Sequence, residues 1–226
     1  MAREILGDQI DIHTGGIDHI PVHHTNEIAQ TEAVTGKQFS NIWLHANHIK
    51  VDGTKMSKSL GNIYTLQDIK DKGFDLDAFK LVVLSKHYRT EGNFTWDILE
   101  AAQNRLNNWR TAGDLRWQGA GEGGVTSGLL ELLQNDLDTP AAAARIDELL
   151  GDNPTGLHKL LDEIRDLLGI TLHRDDISDA QKSLIKEREQ VRTAKDWAKS
   201  DELRDVLAEQ GITVRDTPTG TIWSHS

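Results

Sequence analysis

A polar stretch of lysines and serines, KMSKS at 55–59, carries the strongest chemical signal in the sequence. Lys55 and Lys58 are three positions apart and can reach different oxygens of a polyphosphate, while serine hydroxyls and exposed backbone amides add hydrogen bonds. The stretch follows an Asp52-Gly53 turn signal, so we expect it to form a loop. A triphosphate suits such a loop, although an isolated Lys-x-x-Lys pattern also fits an ordinary solvated surface.

His23 and Glu27 supply a second candidate site, for a metal ion. They stand four residues apart after Pro21, and helical spacing places the imidazole and the carboxylate on one face, where both can reach one cation. The chain contains no cysteine, so any metal within it must use His, Asp or Glu. A surface pair or a partly buried hydrogen bond fits the same spacing, and these interpretations stay open.

Asp18 is the third candidate, because it follows the Gly15-Gly16 pair just beyond a predicted strand, where ligands bind in α/β sheets. Its carboxylate can accept hydrogen bonds from ribose hydroxyls, and aspartate is equally typical of a helix start. His45 and His48 could face the same cleft or be strand histidines satisfied by the backbone.

The elements that must position these residues begin with a strand, glycine loop and helix unit. Polar and apolar residues alternate over QIDIHTGG, which predicts a short strand that ends at the glycine pair. A helical face follows from Pro21, at a first helical position, until Gly36. Two further strands are predicted at 42–46 and 48–51.

Helices largely replace strands from Thr65 onwards. Capping-box patterns predict helix starts at Thr65 and Ser178. The remaining predicted helices are at 78–85, 96–112, 128–135, 140–150, 154–168 and after Lys195 until Gly211. The glycine-rich segment 119–124 predicts a linker. The segments ITV and TIW flank a DTPTG turn and predict a terminal hairpin.

Length and composition bound the class of protein. The chain has 226 residues, 37% hydrophobic and 27% charged, which indicates a folded protein with more than one packed unit. No apolar run or signal-peptide pattern is present, so we expect no membrane partner and a cytoplasmic location. The net charge of −11 argues against holding nucleic acid by overall attraction. Trp109, Trp117, Trp197 or Trp223 could stack an unpaired base or pack in the core.

KMSKS is the ATP-binding signature of class I aminoacyl-tRNA synthetases, and the surrounding sequence resembles cysteinyl-tRNA synthetases over nearly the whole chain. The similar segments are DIHTGGIDHIPVHHTNEIAQ at 11–30, NIWLHANHIKVDGTKMSKSLGN at 41–62, HYR at 87–89, NDLDTPAA at 135–142 and KDWAKSDELRDVLAEQGITVRDTPTGTIW at 195–223.

This resemblance implies a fold that is α/β and then all-α. Residues 1–64 would be the C-terminal part of a Rossmann-like catalytic domain with its KMSKS loop, and 65–118 a helical connective region. Residues 119–175 would form an anticodon-binding helix bundle, and 176–226 the C-terminal helices with a small hairpin tail.

The resemblance also implies an activity, the ATP-dependent activation of cysteine and its transfer to tRNA(Cys). Lys55 and Lys58 would be the catalytic residues, because they would stabilise charge on the departing pyrophosphate. The ATP-binding set, which receives ATP as its Mg²⁺ complex, would be Asp18, Lys55, Ser57, Lys58 and Ser59. In the family, residues at the positions of His23 and Glu27 ligate Zn²⁺ together with two cysteines. That zinc selects cysteine by binding its thiolate.

Two features depart from the family pattern, the absence of cysteine and the absence of the HIGH-type motif that works with KMSKS. We therefore expect only half of the zinc site in this chain, and expect the chain to be a fragment whose partner would be the N-terminal half. Two alternatives stay open: a noncatalytic tRNA-binding module derived from a synthetase, and a ligase that joins cysteine to an amino sugar.

Overall fold

The computed structural model describes residues 2–119, 126–151, 156–218 and 220–226. The helices of the described residues are α1 (Ala2–Leu6), α2 (Thr25–Thr35), α3 (Leu66–Asp71), α4 (Leu76–Leu84), α5 (Trp96–Asp114), α6 (Leu129–Gln134), α7 (Thr139–Leu149), α8 (Leu157–Leu168), α9 (Asp179–Thr193) and α10 (Trp197–Glu209). The strands are β1 (Ile10–Gly16), β2 (Ser40–Ala46), β3 (Ile49–Val51), β4 (Gly92–Phe94), β5 (Ile212–Thr217) and β6 (Gly220–His225).

The first sheet is the predicted strand, loop and helix unit. Strands β1 and β2 pair in parallel, with Ile12 opposite Ile42, and α2 forms the crossover between them. Between β1 and α2 lie a 3₁₀ turn and a π-helical turn that contains Pro21, so α2 begins at Thr25 rather than at the proline. Helix α2 ends as predicted at Gly36, whose left-handed φ of 63° suits glycine.

The second sheet contains a strand that the sequence pattern missed. Strand β3 pairs in parallel with β4, which lies in the stretch predicted to be largely helical. Three residues are too few to show an alternating pattern, and this explains the omission. The predicted Asp52-Gly53 turn is confirmed: both residues have positive φ, and Val51 bridges to Thr54 on the other side.

Both capping-box helix starts are confirmed. The Thr65 hydroxyl accepts from the backbone of Asp68, whose side chain accepts in return from the Thr65 amide, and Ser178 and Gln181 do the same at α9. Helices α6 and α7 follow the predictions within two residues. The predicted start of α8 at 154 and most of the predicted linker, 120–124, lie outside the described residues.

Most of the hydrophobic core lies in the helical part. One buried cluster extends from Val51 in β3 through α4, α5, α7 and α8 to Leu172. A smaller cluster joins α9 and α10 to the β5–β6 hairpin and consists of Ile177, Ile185, Leu207, Ile212 and Trp223. An α/β beginning followed by helices confirms the predicted fold class, whereas the predicted four-part division stays a prediction.

A buried carboxylate connects the two clusters. Asp114, at the end of α5, is 1% exposed, and it forms an ion pair with Arg174 and accepts from the backbone amide of His225 in β6. Gln118 adds two hydrogen bonds to the backbone of Trp223. The C-terminal hairpin is therefore fixed to the helical core by polar contacts. Among the described residues, no helix is long and apolar enough to cross a membrane.

Candidate functional site

Glu27, in the first turn of α2, lies between two histidines. Its Oε1 is 3.6 Å from Nε2 of His23, one helical turn earlier, and its Oε2 is 2.8 Å from Nε2 of His13 in β1. The π-helical turn carries His23 at its end, and the first turn of α2 carries Glu27, so the two side chains share a face. The structure thus brings the predicted pair together and adds His13, which the sequence analysis did not single out.

A cluster of imidazoles packs behind that pair. His24 is 3% exposed, and its Nδ1 lies 2.8 Å from Nε2 of His45 in β2. Its ring centroid is 4.6 Å from that of His13 and 5.2 Å from that of His19. Burial, reinforced by the nearby imidazoles, lowers the pKa of His24, so its ring is neutral at neutral pH.

Gly15 is required by the close approach of these rings to β1. A Cβ added there would lie 2.6 Å from Cε1 of His24 and 2.7 Å from Nδ1 of His19. Ordinary contacts of a Cβ begin at about 3.4 Å, so a side chain at this position would displace the buried histidine. The predicted glycine loop therefore serves packing at the end of the strand.

Two overlapping groups of potential metal-ligating atoms lie around Glu27. Ligand atoms of His13, His24 and Glu27 lie within 4.8 Å of one another, and His23 with Glu27 forms the predicted pair. Donor atoms held by one tetrahedral zinc lie about 3.4 Å apart, since each bond is about 2.1 Å long. The 3.6 Å between His23 and Glu27 fits that geometry, and imidazole with carboxylate is a chemistry that zinc accepts.

Asp18 lies where it was expected, directly after the end of β1. Its Oδ1 is 3.2 Å from Nε2 of His48, and both side chains are more than half exposed. The carboxylate is thus open to a ligand. The sequence left the roles of His45 and His48 open, and the structure gives them different partners. His45 belongs to the imidazole cluster, and His48 contacts Asp18.

The KMSKS loop is held in place by a neighbouring asparagine. The backbone amide of Ser57 donates to Oδ1 of Asn62 at 2.8 Å, and Nδ2 of Asn62 donates to the hydroxyl of Thr54 and to the carbonyl of Lys55. The Ser57 hydroxyl caps the short 3₁₀ turn that contains Lys58. Both lysines are exposed, and within the described ranges neither forms an ion pair.

Two of the segments that carried the resemblance meet in space. The hydroxyl of Tyr88 donates to Asp136 at 2.6 Å, Arg89 forms an ion pair with the same carboxylate at 3.0 Å, and His87 contacts the Asp136 carbonyl. The Tyr88 hydrogen bond lowers the pKa of Asp136. Asp136 and Leu137 both have a φ of 55°, which is uncommon for residues with a side chain.

The charges of α9 and α10 are largely paired. Arg188 is buried, and its two terminal guanidinium nitrogens, Nη1 and Nη2, donate to the Asp216 carboxylate. Arg192 pairs with the same carboxylate. The pairing with Arg188 lowers the pKa of Asp216 to about 2. Trp109 and Trp223 are core residues, whereas Trp197 is 56% exposed and lies against Arg192. Trp117 is 39% exposed and lies against Arg116, so Trp117 and Trp197 are the exposed members of these four tryptophans.

Two family models match the chain. One is described as tRNA synthetases class I (C) catalytic domain and matches residues 1–104, and the other as cysteinyl-tRNA ligase anticodon binding domain and matches residues 174–223.

Similar proteins are found by sequence and by structure. A cysteine–tRNA ligase of Protochlamydia amoebophila is 38% identical over 98% of this chain and 52% of its own length. One of Solibacter usitatus is 37% identical over 100% of this chain and 54% of its own length. The chain thus spans about half the length of these relatives. Among solved structures, the LeuRS chain in a ternary complex of Agrobacterium radiobacter LeuRS, tRNA and LeuAMS is similar to this chain, with a TM-score of 0.55 and 16% sequence identity. The match covers 70% of this chain and 25% of the LeuRS chain. At this identity the similarity supports the fold alone.

Proposed function

The chain belongs to the cysteinyl-tRNA synthetase family, and from this premise we propose that it carries the ATP-binding loop, part of a zinc site and the anticodon-binding part of a cytoplasmic cysteine–tRNA ligase. The proposed substrates are cysteine, ATP with Mg²⁺ and tRNA(Cys). Because the chain spans about half of its relatives, the remaining half of such a relative is a proposed partner.

The proposed reaction has two steps. The carboxylate of cysteine attacks the α-phosphorus of ATP, which forms cysteinyl-adenylate and releases pyrophosphate. A hydroxyl of the terminal adenosine of tRNA(Cys) then attacks the activated carbonyl, and AMP leaves. Negative charge grows on the pyrophosphate in the first step, so cations placed beside it stabilise the transition state more than the ground state.

The observation that carries the proposal is the geometry of the KMSKS loop. Asn62 makes two hydrogen bonds to the loop backbone and one to the Thr54 hydroxyl. Lys55 and Lys58 extend into solvent without ion pairs in the described part of the chain. Two free ammonium groups on a fixed backbone would attract an anion, although the net charge of the whole chain is −11. Lys55 and Lys58 would contact the β- and γ-phosphates, and Ser57 and Ser59 would donate hydrogen bonds.

Asp18, His23 and Glu27 complete the proposed site. Asp18 would accept hydrogen bonds from the ribose hydroxyls of ATP. His23 and Glu27 would hold zinc, because their donor atoms are 3.6 Å apart on one face of the π-helical turn and α2. When bound, zinc would discriminate cysteine from serine, since it prefers a thiolate to a hydroxyl.

Three assays on the purified chain test the proposal, each with the chain alone and mixed with the remaining half of the Protochlamydia amoebophila relative. They are a gel shift with tRNA(Cys), cysteine-dependent exchange of pyrophosphate into ATP, and charging of tRNA(Cys). We expect the gel shift with the chain alone, and exchange and charging in the mixture. Lys58→Ala should slow exchange about 10²- to 10³-fold, whereas Lys159→Ala, which removes an exposed lysine of α8, should leave it unchanged.

The same assays separate the alternatives. A gel shift with no exchange or charging in either arrangement would support the noncatalytic module. Transfer of cysteine to an amino sugar rather than to tRNA would support the other ligase, which the match to an anticodon-binding domain at 174–223 does not favour. Failure of all three assays would overturn the proposal.

A further inference from the structure

We infer that His13 is a positioning residue for the cation site, because it holds the Glu27 carboxylate with one oxygen turned towards His23. The inference rests on the proposed function insofar as it takes His23 and Glu27 as the zinc ligands. It assigns a role to a strand residue that neither the spacing of the ligand pair nor the family comparison identifies.

The two oxygens of Glu27 have different partners. Oε2 lies 2.8 Å from Nε2 of His13, within hydrogen-bond distance, whereas Oε1 lies 3.6 Å from Nε2 of His23. An ionised carboxylate can only accept, so Nε2 of His13 must be the donor. The terminal torsion of a glutamate is broad when nothing restrains it. The His13 bond removes that freedom and leaves Oε1 for a cation shared with His23.

His13 is itself held more firmly than the ligand pair. It lies in β1 opposite Trp43 of β2, and its ring centroid is 4.9 Å from Trp43, 5.2 Å from Phe39 and 4.6 Å from His24. Its side chain is 23% exposed, against 61% for His23. A donor enclosed by three rings can orient a carboxylate at a solvent-accessible position, which is how outer-shell residues tune metal ligands.

The alternative set of His13, His24 and Glu27 includes a buried histidine that already has a partner. Nδ1 of His24 is already engaged with His45 at 2.8 Å. Its Nε2 lies 2.8 Å from the place that a Cβ at Gly15 would occupy, so this nitrogen is close to strand β1. Although the three donors lie within 4.8 Å of one another, His24 is 3% exposed and the His23 side chain 61%, so the pair of His23 and Glu27 is the more accessible to an ion from solvent.

Zinc affinity provides the first test, measured for the whole chain by competition with a chromophoric chelator. His13→Leu should weaken zinc binding about 10- to 100-fold, the range for lost outer-shell partners. In His13→Gln, the amide nitrogen takes the place of Nε2 and can donate the same bond, so most of the affinity should return. His48→Leu, a matched histidine that contacts Asp18 instead, should bind zinc as the wild type does.

A second measurement does not require zinc. Long-range ¹⁵N–¹H spectra of the metal-free chain report which nitrogen of His13 carries hydrogen, and we expect a protonated Nε2. A His13 protonated only at Nδ1 would overturn the inference.

The zinc measurements would also overturn it if His13→Leu bound zinc with wild-type affinity, or if the wild-type chain bound no zinc. His13→Gln could bind zinc as weakly as His13→Leu while His23→Ala binds zinc as tightly as the wild type. In that case His13 is itself a zinc ligand, and the positioning role is wrong. Failure of the ligase proposal would instead show as lost exchange and tRNA binding with zinc binding intact.

Discussion

The region up to the KMSKS loop and the helical region after it are built in opposite ways. In the first region, the candidate metal site and Asp18 lie beside the parallel strands β1 and β2, and apolar residues such as Ile12, Val22 and Ile42 are more than half exposed. In the second, large side chains such as Leu106 and Leu161 are fully buried in one continuous cluster. The candidate site thus lies in the region that buries fewer apolar side chains.

The difference shows that the site depends on local polar contacts. Parallel sheets are usually covered on both faces, and a two-stranded sheet alone is marginal in water. In the helical region, burial of apolar side chains fixes the structure. In the first region, this role falls to the histidine contacts, the packing at Gly15 and the hydrogen bonds of Asn62. Substitutions in the first region should therefore alter activity more than stability, and those in the helical region the reverse.

The largest effect is expected from Lys58→Ala. Removal of one positioned cation should slow cysteine-dependent pyrophosphate exchange about 10²- to 10³-fold in the mixture that supports it, because charge stabilisation is confined to the transition state. Cysteine binding and the melting temperature should change little, since the Lys58 side chain is exposed. Exchange at the wild-type rate would contradict both the catalytic role and the contrast between the regions.

Leu161→Ala should show the reverse pattern. Leu161 is fully buried in α8 and packs against Gly113 of α5, so truncation leaves a cavity and should lower the free energy of unfolding by about 3 kcal/mol. Ile12→Ala is the matched control, because Ile12 is 59% exposed and its truncation should cost less than about 0.5 kcal/mol. Urea denaturation of the two variants measures the difference. Equal losses would show that the first region has a core of its own.

Gly15→Ala should be the most damaging small change in the first region. Its methyl group would meet the buried His24, and overpacking of this kind costs about 1–3 kcal/mol. In Gly16→Ala the added carbon is too close only to Oδ1 of Asp18, the end of an exposed side chain that can turn away, and its 3.6 Å distance to Nε2 of His48 is an ordinary contact. A comparison of the two melting temperatures tests the packing argument. A Gly16 variant as unstable as the Gly15 variant would refute it.

Sequence reasoning predicted the elements that have strong local signals. The Thr65 and Ser178 capping boxes, the Gly36 helix end and the Asp52-Gly53 turn each depend on a few adjacent residues, and all are present. Strand β4 has only three residues and pairs with residues 43 positions earlier in the chain, so no local pattern could reveal it.

In the candidate site, too, local sequence patterns predicted some contacts, whereas others depend on long-range pairing. The spacing of His23 and Glu27 predicted their proximity, because both lie on one helical face. His13 and His24 join that site only through the pairing of β1 with β2 and the crossover between them, which is tertiary information. The concentration of histidines in the first ninety residues was the sole sequence signal that could have indicated them.

The C-terminal hairpin extends the comparison to a third region, where an ion pair supplements a small apolar cluster. Asp216 pairs with the buried Arg188, which lowers the Asp216 pKa from an ordinary 3.8 to about 2. A lowered carboxyl pKa gives stability that is fully present above the ordinary value and is lost as the pH falls through the folded value. We therefore expect this contribution to disappear between about pH 4 and pH 2.

The acid-dependent effect should be the smallest of the four. Because the Asp216 side chain is 35% exposed, solvent screening reduces the pH-dependent part to about 1 kcal/mol. Asp216→Asn will be less stable than the wild type at pH 7, since Arg188 loses its charged partner. Its stability should nevertheless fall less steeply between pH 4 and pH 2, as measured by urea denaturation at each pH. If the free energy of unfolding fell equally steeply between pH 4 and pH 2 in the wild type and in Asp216→Asn, apolar packing rather than the ion pair would hold the hairpin.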